Sequence, residues 1–330
     1  MDVLVCIQHN FVMPCGVMLY SLITNNTMSV HVHCINNRDV TDSDKRALRS
    51  IVETNSNNTV SFYTFQTKSI EAYPGLKGTH FGESTYYRLF CSSILPSSLH
   101  QILYLDSDMI INGNIKELYD VNIDDYAVAG IVNPIMKSNM PRLYKYLDKT
   151  DVYINTGVQI INLDYWRNHK IEKAFVNFIE KDPEWIRFVD QDVLNVVLKG
   201  KIKTLPLKYN FQHQFLYKDK YLEPILDSRF SELQNAREKP VIVHYTGPDK
   251  PWMAHCNHPL KLLFIKFQDQ TIWRGNVISI PKSVLINRKI RKHLVKLKYL
   301  LKYGRFMPTY FDSELCKSIN EKFMIGYEKK

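Results

Sequence analysis

Along the first two thirds of the chain, short apolar runs alternate with longer stretches whose apolar positions recur every three to four residues. Residues 3–7, 30–35, 60–63 and 101–105 are runs of the first kind, and they read as β-strands, with Leu103-Tyr104-Leu105 a buried strand signature. Between them, residues 15–25, 41–54 and 84–95 have helical spacing. Such alternation predicts an α/β fold with a mainly parallel sheet covered by helices on both faces, and in such sheets ligands bind at the carboxyl ends of the strands. Residues 157–163 and 241–244 read as further strands, and 171–181 and 190–199 as further helices. No linker interrupts the pattern before about residue 270 and no internal repeat is seen, so residues 1–270 are expected to form one domain.

Past Trp273 the pattern changes, and residues 271–330 are expected to be a basic helical extension. From Pro281 to Arg305 there are nine Lys or Arg and no acids. On a helical wheel Ile286, Ile290, Leu294, Leu297 and Leu301 form one stripe, with Arg288, Arg291, Lys292, Lys296, Lys298 and Lys302 on the opposite arc. A basic amphipathic helix suits an anionic membrane surface, with Tyr299, Tyr303, Phe306, Tyr310 and Phe311 as interfacial aromatics. Packing of the stripe on the main domain is the other reading, and a nucleic-acid contact fits less well. The net charge sharpens this picture. It is +10, residues 274–330 hold 14 basic and 4 acidic residues, and the rest of the chain is balanced. The main domain therefore need not bind polyanions.

The remaining composition mostly excludes. A 45% share of hydrophobic residues suffices for a large core. The opening residues include an early acid and no basic region, too short a run for a signal peptide or a membrane span, which leads to the expectation of a cytosolic chain. Cys6, Cys15, Cys34, Cys91, Cys256 and Cys316 are scattered with no Cys-x-x-Cys pair, so neither a zinc cluster nor a disulfide framework is suggested. The sequons at Asn25 and Asn57 carry no weight without a secretory signal. Nothing in the sequence bears on oligomeric state.

The chemistry concentrates after the run at 101–105. Asp106 and Asp108 flank Ser107 and precede the apolar Met109, Ile110 and Ile111. Two carboxylates at i and i+2 in extended backbone project to the same side, where they repel unless one is protonated or a cation lies between them. An acidic turn after a strand is also a common helix cap or solvated loop. His244 ends the run 241–243 in the same way, as a ligand from a neighbouring strand or as a hydrogen-bonded core histidine. Carboxylates with one imidazole suit Mn²⁺, with Mg²⁺ as a substitute, better than zinc.

Four segments together resemble the retaining glycosyltransferases of family 8, a group that includes bacterial lipopolysaccharide galactosyl- and glucosyltransferases and glycogenin. They are Tyr104-Leu105-Asp106-Ser107-Asp108-Met109-Ile110, Tyr153-Ile154-Asn155-Thr156-Gly157-Val158-Gln159, Asp190-Gln191-Asp192-Val193-Leu194-Asn195, and His244-Tyr245-Thr246-Gly247-Pro248-Asp249-Lys250. The resemblance implies a GT-A fold in which Asp106, Asp108 and His244 hold the metal against the diphosphate of a UDP-sugar. Gly247 and Lys250 then contact the same diphosphate, and Ser107 lies within the motif. Asn155 and Gly157 match the segment that contacts the donor sugar, Asp190 and Gln191 lie beside the anomeric carbon, and Arg88 resembles an arginine near diphosphate and sugar. On residue type alone, Asp190 is equally an N-cap and Arg88 a surface ion-pair partner.

The stretch Cys6, Gln8, Asn10 corresponds to the family's nucleobase segment, but Gln8 stands where an acid is usual. Its amide still offers one donor and one acceptor to an imide. Asn133 likewise stands where an acid often sits near the acceptor. The implied activity is transfer of a hexose, galactose or glucose, from a UDP-sugar to a glycan or glycolipid acceptor of the cell surface, by an enzyme peripheral on the inner face of the cytoplasmic membrane. Retention proceeds either through a covalent intermediate on Asp190 or Gln191, or by attack from the leaving-group side, the reading preferred. A nucleotidyltransferase, or a membrane or nucleic-acid adaptor with a decayed sugar-nucleotide site, are the rivals.

Overall fold

The strand β1 (Asp2–Ile7) sends Val3, Val5 and Ile7 to one hydrophobic cluster and Leu4 and Cys6 to another. Strand β4 (Gln101–Leu105) does the same, with Leu103 and Leu105 on the first side and Ile102 and Tyr104 on the second. Both strands are thus buried on two faces, which is why their sequences read as continuous apolar runs rather than alternating ones. In this computed structural model the described residues are 1–65, 73, 74, 76, 82–134, 140–279, 285–287, 290, 293, 294, 311–325 and 327.

The main sheet adds β2 (His31–Asn36), β3 (Thr59–Thr64), β6 (Val128–Val132), β7 (Ile154–Asn162) and β8 (Ile202–Thr204), in the order β3-β2-β1-β4-β7-β6-β8. The pairs β1/β2, β2/β3, β1/β4 and β6/β8 are parallel, whereas β7 runs antiparallel to both β4 and β6. From β1 the chain moves outward to β2 and β3, then returns to place β4 on the other side of β1. That reversal opens a crevice beyond the carboxyl ends of β1 and β4. A second sheet of β5 (Met109–Ile111), β10 (Ile242–His244) and β9 (Phe211–Gln212), in the order β5-β10-β9, stands at this crevice.

The expected helices are present at Val12–Thr24, Asp42–Val52, Ile171–Lys181 and Val189–Val197. Asp42–Val52 begins at a reciprocal cap between Thr41 and Asp44. The helix expected over 84–95 is broken into Ser84–Tyr87, a 3-10 turn Arg88–Phe90 and Cys91–Ile94. Arg88 explains the break. Its Nε donates to the Thr85 carbonyl at 3.1 Å, the acceptor that an α-helix offers to the backbone N–H of residue 89.

Part of the C-terminal extension folds back onto the main body. The helix Ser313–Met324, capped by the Asp312 carboxylate, buries Ile319 and Phe323 in the first cluster and lies against the helix Lys261–Gln268. Phe311 is half-buried, with its ring 5.1 Å from Tyr217; it is a packed residue and not a free interfacial aromatic. Ile286, Ile290 and Leu294 are exposed. The rest of the expected stripe (Leu297, Leu301), the six basic residues of the opposite arc, and Tyr299, Tyr303, Phe306 and Tyr310 lie outside the described residues. No helix among the described residues is long and apolar enough to cross a membrane. Because Ile319 is 2% exposed, Ile319→Ala is expected to lower unfolding stability by about 2–4 kcal/mol, measured by urea denaturation of the full chain.

Candidate active site

The cleft beyond β1 and β4 has a cavity volume of about 310 Å³, the size of a small-molecule site. Its charged side chains are Arg88, Asp106, Asp108, Asp190 and Lys250, three carboxylates against two cations, with His213 and His244 beside them.

Strand pairing assembles the core of the site. The antiparallel register of β5 and β10 sets His244 opposite Met109, the residue after Asp108, and the Tyr245 N–H donates to the Asp108 carbonyl at 3.0 Å. On the other side, the Asp106 N–H donates to the Gly157 carbonyl at 2.8 Å, extending the β4/β7 pairing. As a result, His244 Nε2 lies 3.2 Å from Asp108 Oδ1 and 3.7 Å from Asp106 Oδ2. Ligand atoms of the three residues all lie within 4.8 Å of one another.

Each carboxylate also has its own cation, so the repulsion expected between them is largely neutralised. Asp106 receives Arg88 Nη2 at 2.8 Å and the Tyr104 hydroxyl at 2.5 Å. Asp108 is paired with Lys250, whose ammonium also donates to the Tyr245 carbonyl. Burial alone raises the Asp108 carboxyl, but the Lys250 ammonium overcomes it and holds it well below the usual range. Arg88 is 3% exposed and additionally donates to the Thr156 carbonyl. Its Nε lies 3.3 Å from Asp190 Oδ2, an oxygen that accepts no hydrogen bond among the described residues. The guanidinium is thus a buried strut between two acids, not the surface ion-pair partner that residue type alone allows.

Asp190 and Gln191 enter the cleft through an unusual backbone turn. Val189 has φ +40°, the left-handed region that a β-branched residue adopts only under strain. It carries the chain from Phe188 into the helix Val189–Val197, where Asp190 is 2% and Gln191 7% exposed. Burial pushes the Asp190 carboxyl up to about 6, against the pull of Arg88 and with help from Asp106.

The donor set fits a cation, and the reason lies behind it. His244 Nδ1 is 2.9 Å from Asn210 Oδ1, while Asn210 Nδ2 donates to Asn155 Oδ1 at 2.8 Å. An amide oxygen only accepts, so Nδ1 carries a proton, and in the neutral imidazole it is the bare Nε2 that faces two carboxylates. A positive ion resolves that arrangement. The one other cluster of this kind among the described residues, Asp2, His31 and His33, differs. There the outer nitrogens meet the hydroxyls of Ser61 and Tyr63, which donate or accept, so His33 Nε2 is free to donate to Asp2 at 3.0 Å. That group satisfies itself without an ion.

Of the residues singled out from sequence, Cys6, Arg88, Asp106, Ser107, Asp108, Asn155, Asp190, Gln191, His244, Gly247 and Lys250 line this one cleft, as does Asn133. Gly247 has φ +85°, which glycine adopts without strain. Gln8, Asn10 and Gly157 stand outside the lining. Gly157 serves the site from behind, since a Cβ there would come within 2.4 Å of His244 Cε1. Asn10 is exposed. Gln8 Nε2 donates to Glu83 Oε1 at 3.3 Å, and Glu83 also receives Asn37 and Tyr87. An acid thus lies beside Gln8, from 75 positions further along the chain. Sequence reasoning missed Glu83, His213 and Asn210. The polar run Asn210, Gln212, His213, Gln214 is the sole local feature around the last two, and it does not by itself separate a buried amide from a loop.

With this geometry in view, comparison with known proteins decides the family. The sequence profile of glycosyl transferase family 8 matches residues 2–256. The chain belongs to glycosyl transferase family 8. It is therefore an enzyme, a glycosyltransferase. Similar curated proteins include the lipopolysaccharide 1,3-galactosyltransferase of Salmonella typhimurium, 25% identical over 322 residues that cover 94% of this chain and 90% of that one. The lipopolysaccharide 1,2-glucosyltransferase of Escherichia coli is 26% identical, with 92% and 87% covered, and the general stress protein A of Bacillus subtilis is 26% identical, with 85% and 96% covered. Among solved structures, galactosyltransferase LgtC in complex with donor and acceptor sugar analogs superposes with a TM-score of 0.72 at 21% identity, covering 86% of this chain and 98% of that one. The fold is thus of the GT-A type, α/β with a mainly parallel central sheet, as the sequence led one to expect.

The raised Asp190 pKa has a consequence for stability. The native state binds this proton more tightly than the unfolded chain, so its contribution is fully present below the unfolded value of 3.8 and is lost as pH rises through about 6. Compared with Asp190→Asn, the natural protein is expected to lose on the order of 3 kcal/mol between pH 3.8 and 7. Denaturant unfolding of both proteins across that range checks it.

Proposed function

We propose that this family 8 enzyme transfers a hexose, galactose or glucose, with retention from a UDP-sugar to a cell-surface glycan acceptor of lipopolysaccharide, capsule or glycolipid type, using Mn²⁺ or, as a substitute, Mg²⁺. The observation that carries the reading is the convergence of Asp106, Asp108, His244 and Lys250 on one cleft. With three carboxylates against two cations the cleft repels a diphosphate, and a divalent ion reverses the sign of that balance. The similar lipopolysaccharide galactosyl- and glucosyltransferases support a hexose and a glycan acceptor. Four complementary groups in place argue against a decayed site.

In this reading Asp106, Asp108 and His244 Nε2 hold the ion, and when bound it supplies Lewis-acid stabilisation to the departing UDP. Lys250 adds a point charge to the same diphosphate, and Gly247 allows close approach of the backbone. Arg88 holds the Asp106 carboxylate in orientation. Asn155 and Gln191 contact the donor sugar, with Asp190 beside them. Gln191 Oε1 already accepts hydrogen bonds from Asn155 and Asn133, and an amide so engaged suits charge stabilisation better than covalent capture. Attack from the leaving-group side is therefore the preferred route. The nucleobase lies toward Cys6, Gln8 and Asn10, with Glu83 holding Gln8.

Thermal unfolding of the full chain with UDP, CDP or GDP, each with and without Mn²⁺, tests the reading. UDP with Mn²⁺ at a hundredfold excess over Kd is expected to stabilise by about 2.7 kcal/mol, and Asp108→Asn to abolish the Mn²⁺-dependent part. Stabilisation by no nucleotide, or equally well without metal, would sink it.

The basic segment 281–305 supports a peripheral position on an anionic membrane, at the inner face of the cytoplasmic membrane. Each basic residue near such a surface contributes about 1 kcal/mol. Replacing Lys296, Lys298 and Lys302 together by Gln is thus expected to weaken binding to phosphatidylserine-containing vesicles on the order of 100-fold in a sedimentation assay, without affecting neutral vesicles.

A further inference from the structure

A buried chain of side chains runs from the far wall of the cleft to the candidate metal ligand. It begins at Asp192, which is 0% exposed and accepts from Arg142 Nη2 at 2.6 and 2.8 Å, from the backbone N–H groups of Arg187 and Phe188, and from the Tyr153 hydroxyl at 2.6 Å. Tyr153 in turn accepts from Gln191 Nε2 at 3.2 Å. Gln191 Oε1 accepts from Asn155 Nδ2 at 3.0 Å, Asn155 Oδ1 from Asn210 Nδ2 at 2.8 Å, and Asn210 Oδ1 from His244 Nδ1 at 2.9 Å. Every link from Asp192 to His244 is less than a tenth exposed.

The chain has one direction. The Asp192 oxygens are the acceptors in each of these contacts, and the Tyr153 hydroxyl donates to one of them. The phenolic oxygen is then the acceptor for Gln191, which turns the Gln191 amide nitrogen away and leaves its oxygen between Asn155 and Asn133 on the cleft wall. Asn155 is fixed a second time, because the Gly157 backbone N–H also donates to its Oδ1 at 3.0 Å. From there the polarity passes through Asn210 and decides the imidazole tautomer. Reversing any amide would set acceptor against acceptor or donor against donor in a buried setting, at the cost of unsatisfied groups.

We propose that Asp192, Tyr153 and Asn210 are positioning residues: the one-way hydrogen-bond chain they anchor sets which atoms the enzyme presents, the amide oxygen of Gln191 and the bare Nε2 of His244. The His244 half rests on the reading of Asp106, Asp108 and His244 as metal ligands. The chain has two separable ends, since Gly157 holds Asn155 in the middle. Loss of Tyr153 hydroxyl frees Gln191 to flip but leaves His244 oriented. Loss of Asn210 oxygen frees His244.

The test uses the full chain with three substitutions and two measurements: Mn²⁺ affinity from the free-ion EPR signal, and release of UDP from UDP-galactose or UDP-glucose. Asn210→Leu is expected to weaken Mn²⁺ binding about 10- to 100-fold. Asn210→Asp keeps an acceptor for Nδ1–H and is expected to bind Mn²⁺ within about threefold of the natural protein. Tyr153→Phe is expected to leave Mn²⁺ affinity unchanged and lower kcat at least tenfold with little change in KM. Equal Mn²⁺ affinity in the Leu and Asp variants, or unchanged kcat in the Phe variant, overturns the proposal. If Asn210→Leu does not fold, the Asp and Phe variants still decide, because a merely structural chain would not separate metal affinity from turnover. A natural protein that binds no Mn²⁺ instead overturns the metal reading and with it the His244 half, while the Tyr153→Phe result still judges the Gln191 half.

Discussion

The antiparallel pairing of β5 with β10 is the contact on which the rest of the site depends. It brings His244 beside Asp108 across more than 130 positions of chain, and its register leaves little choice about which side chains meet. A slip of one residue would turn His244 to the opposite face of the strand and place Val243 against the carboxylates. The loop that follows β10 carries Gly247 and Lys250, so the same register delivers the ammonium to Asp108. Behind the pair, Gly157 on β7 leaves just enough room for the imidazole. The small sheet therefore joins the parallel half of the fold to its second half.

Around that contact the electrostatics are arranged in opposed pairs. Arg88 lies between Asp106 and Asp190, and Lys250 answers Asp108. Neither cation neutralises the site, and the acid left over is Asp190, whose buried carboxyl sits well above the ordinary range. Placing three acids this close, two of them buried, is costly unless each is paired or meets an ion. The strained Val189 turn and the broken helix at Arg88 are two further departures from regular structure at this place. Departures of this sort gather where geometry serves chemistry more than stability.

The buried amide chain gives the site its direction. Hydrogen bonds among neutral amides carry no sequence motif, since Asn and Gln are mostly exposed residues and a buried one looks no different in the sequence. Tyr153, Asn155 and Gln191 belong to segments that stood out in the sequence, but Asn210 comes from an unremarked stretch before β10 and Glu83 from a turn after a region without pattern. Their importance is visible only through their partners. The same holds for Phe311, whose aromatic ring in a basic segment suggested a membrane interface, yet which packs on Tyr217.

By itself the sequence determined the α/β alternation, the buried central strands and the family, because apolar runs at strand length and four ordered motifs are local features. It also singled out Asp106, Asp108, His244 and Lys250, which the structure brings together in one cleft. Tertiary structure decided what those residues face. That Arg88 is a buried strut, that Gly157 makes room for His244 and stays out of the cleft, that Glu83 holds Gln8, and that the imidazole proton sits on Nδ1 all depend on contacts between distant segments. Local pattern reports which face of an element is apolar, whereas the partner of a single polar group is set by strand register and chain reversal, which no local window contains.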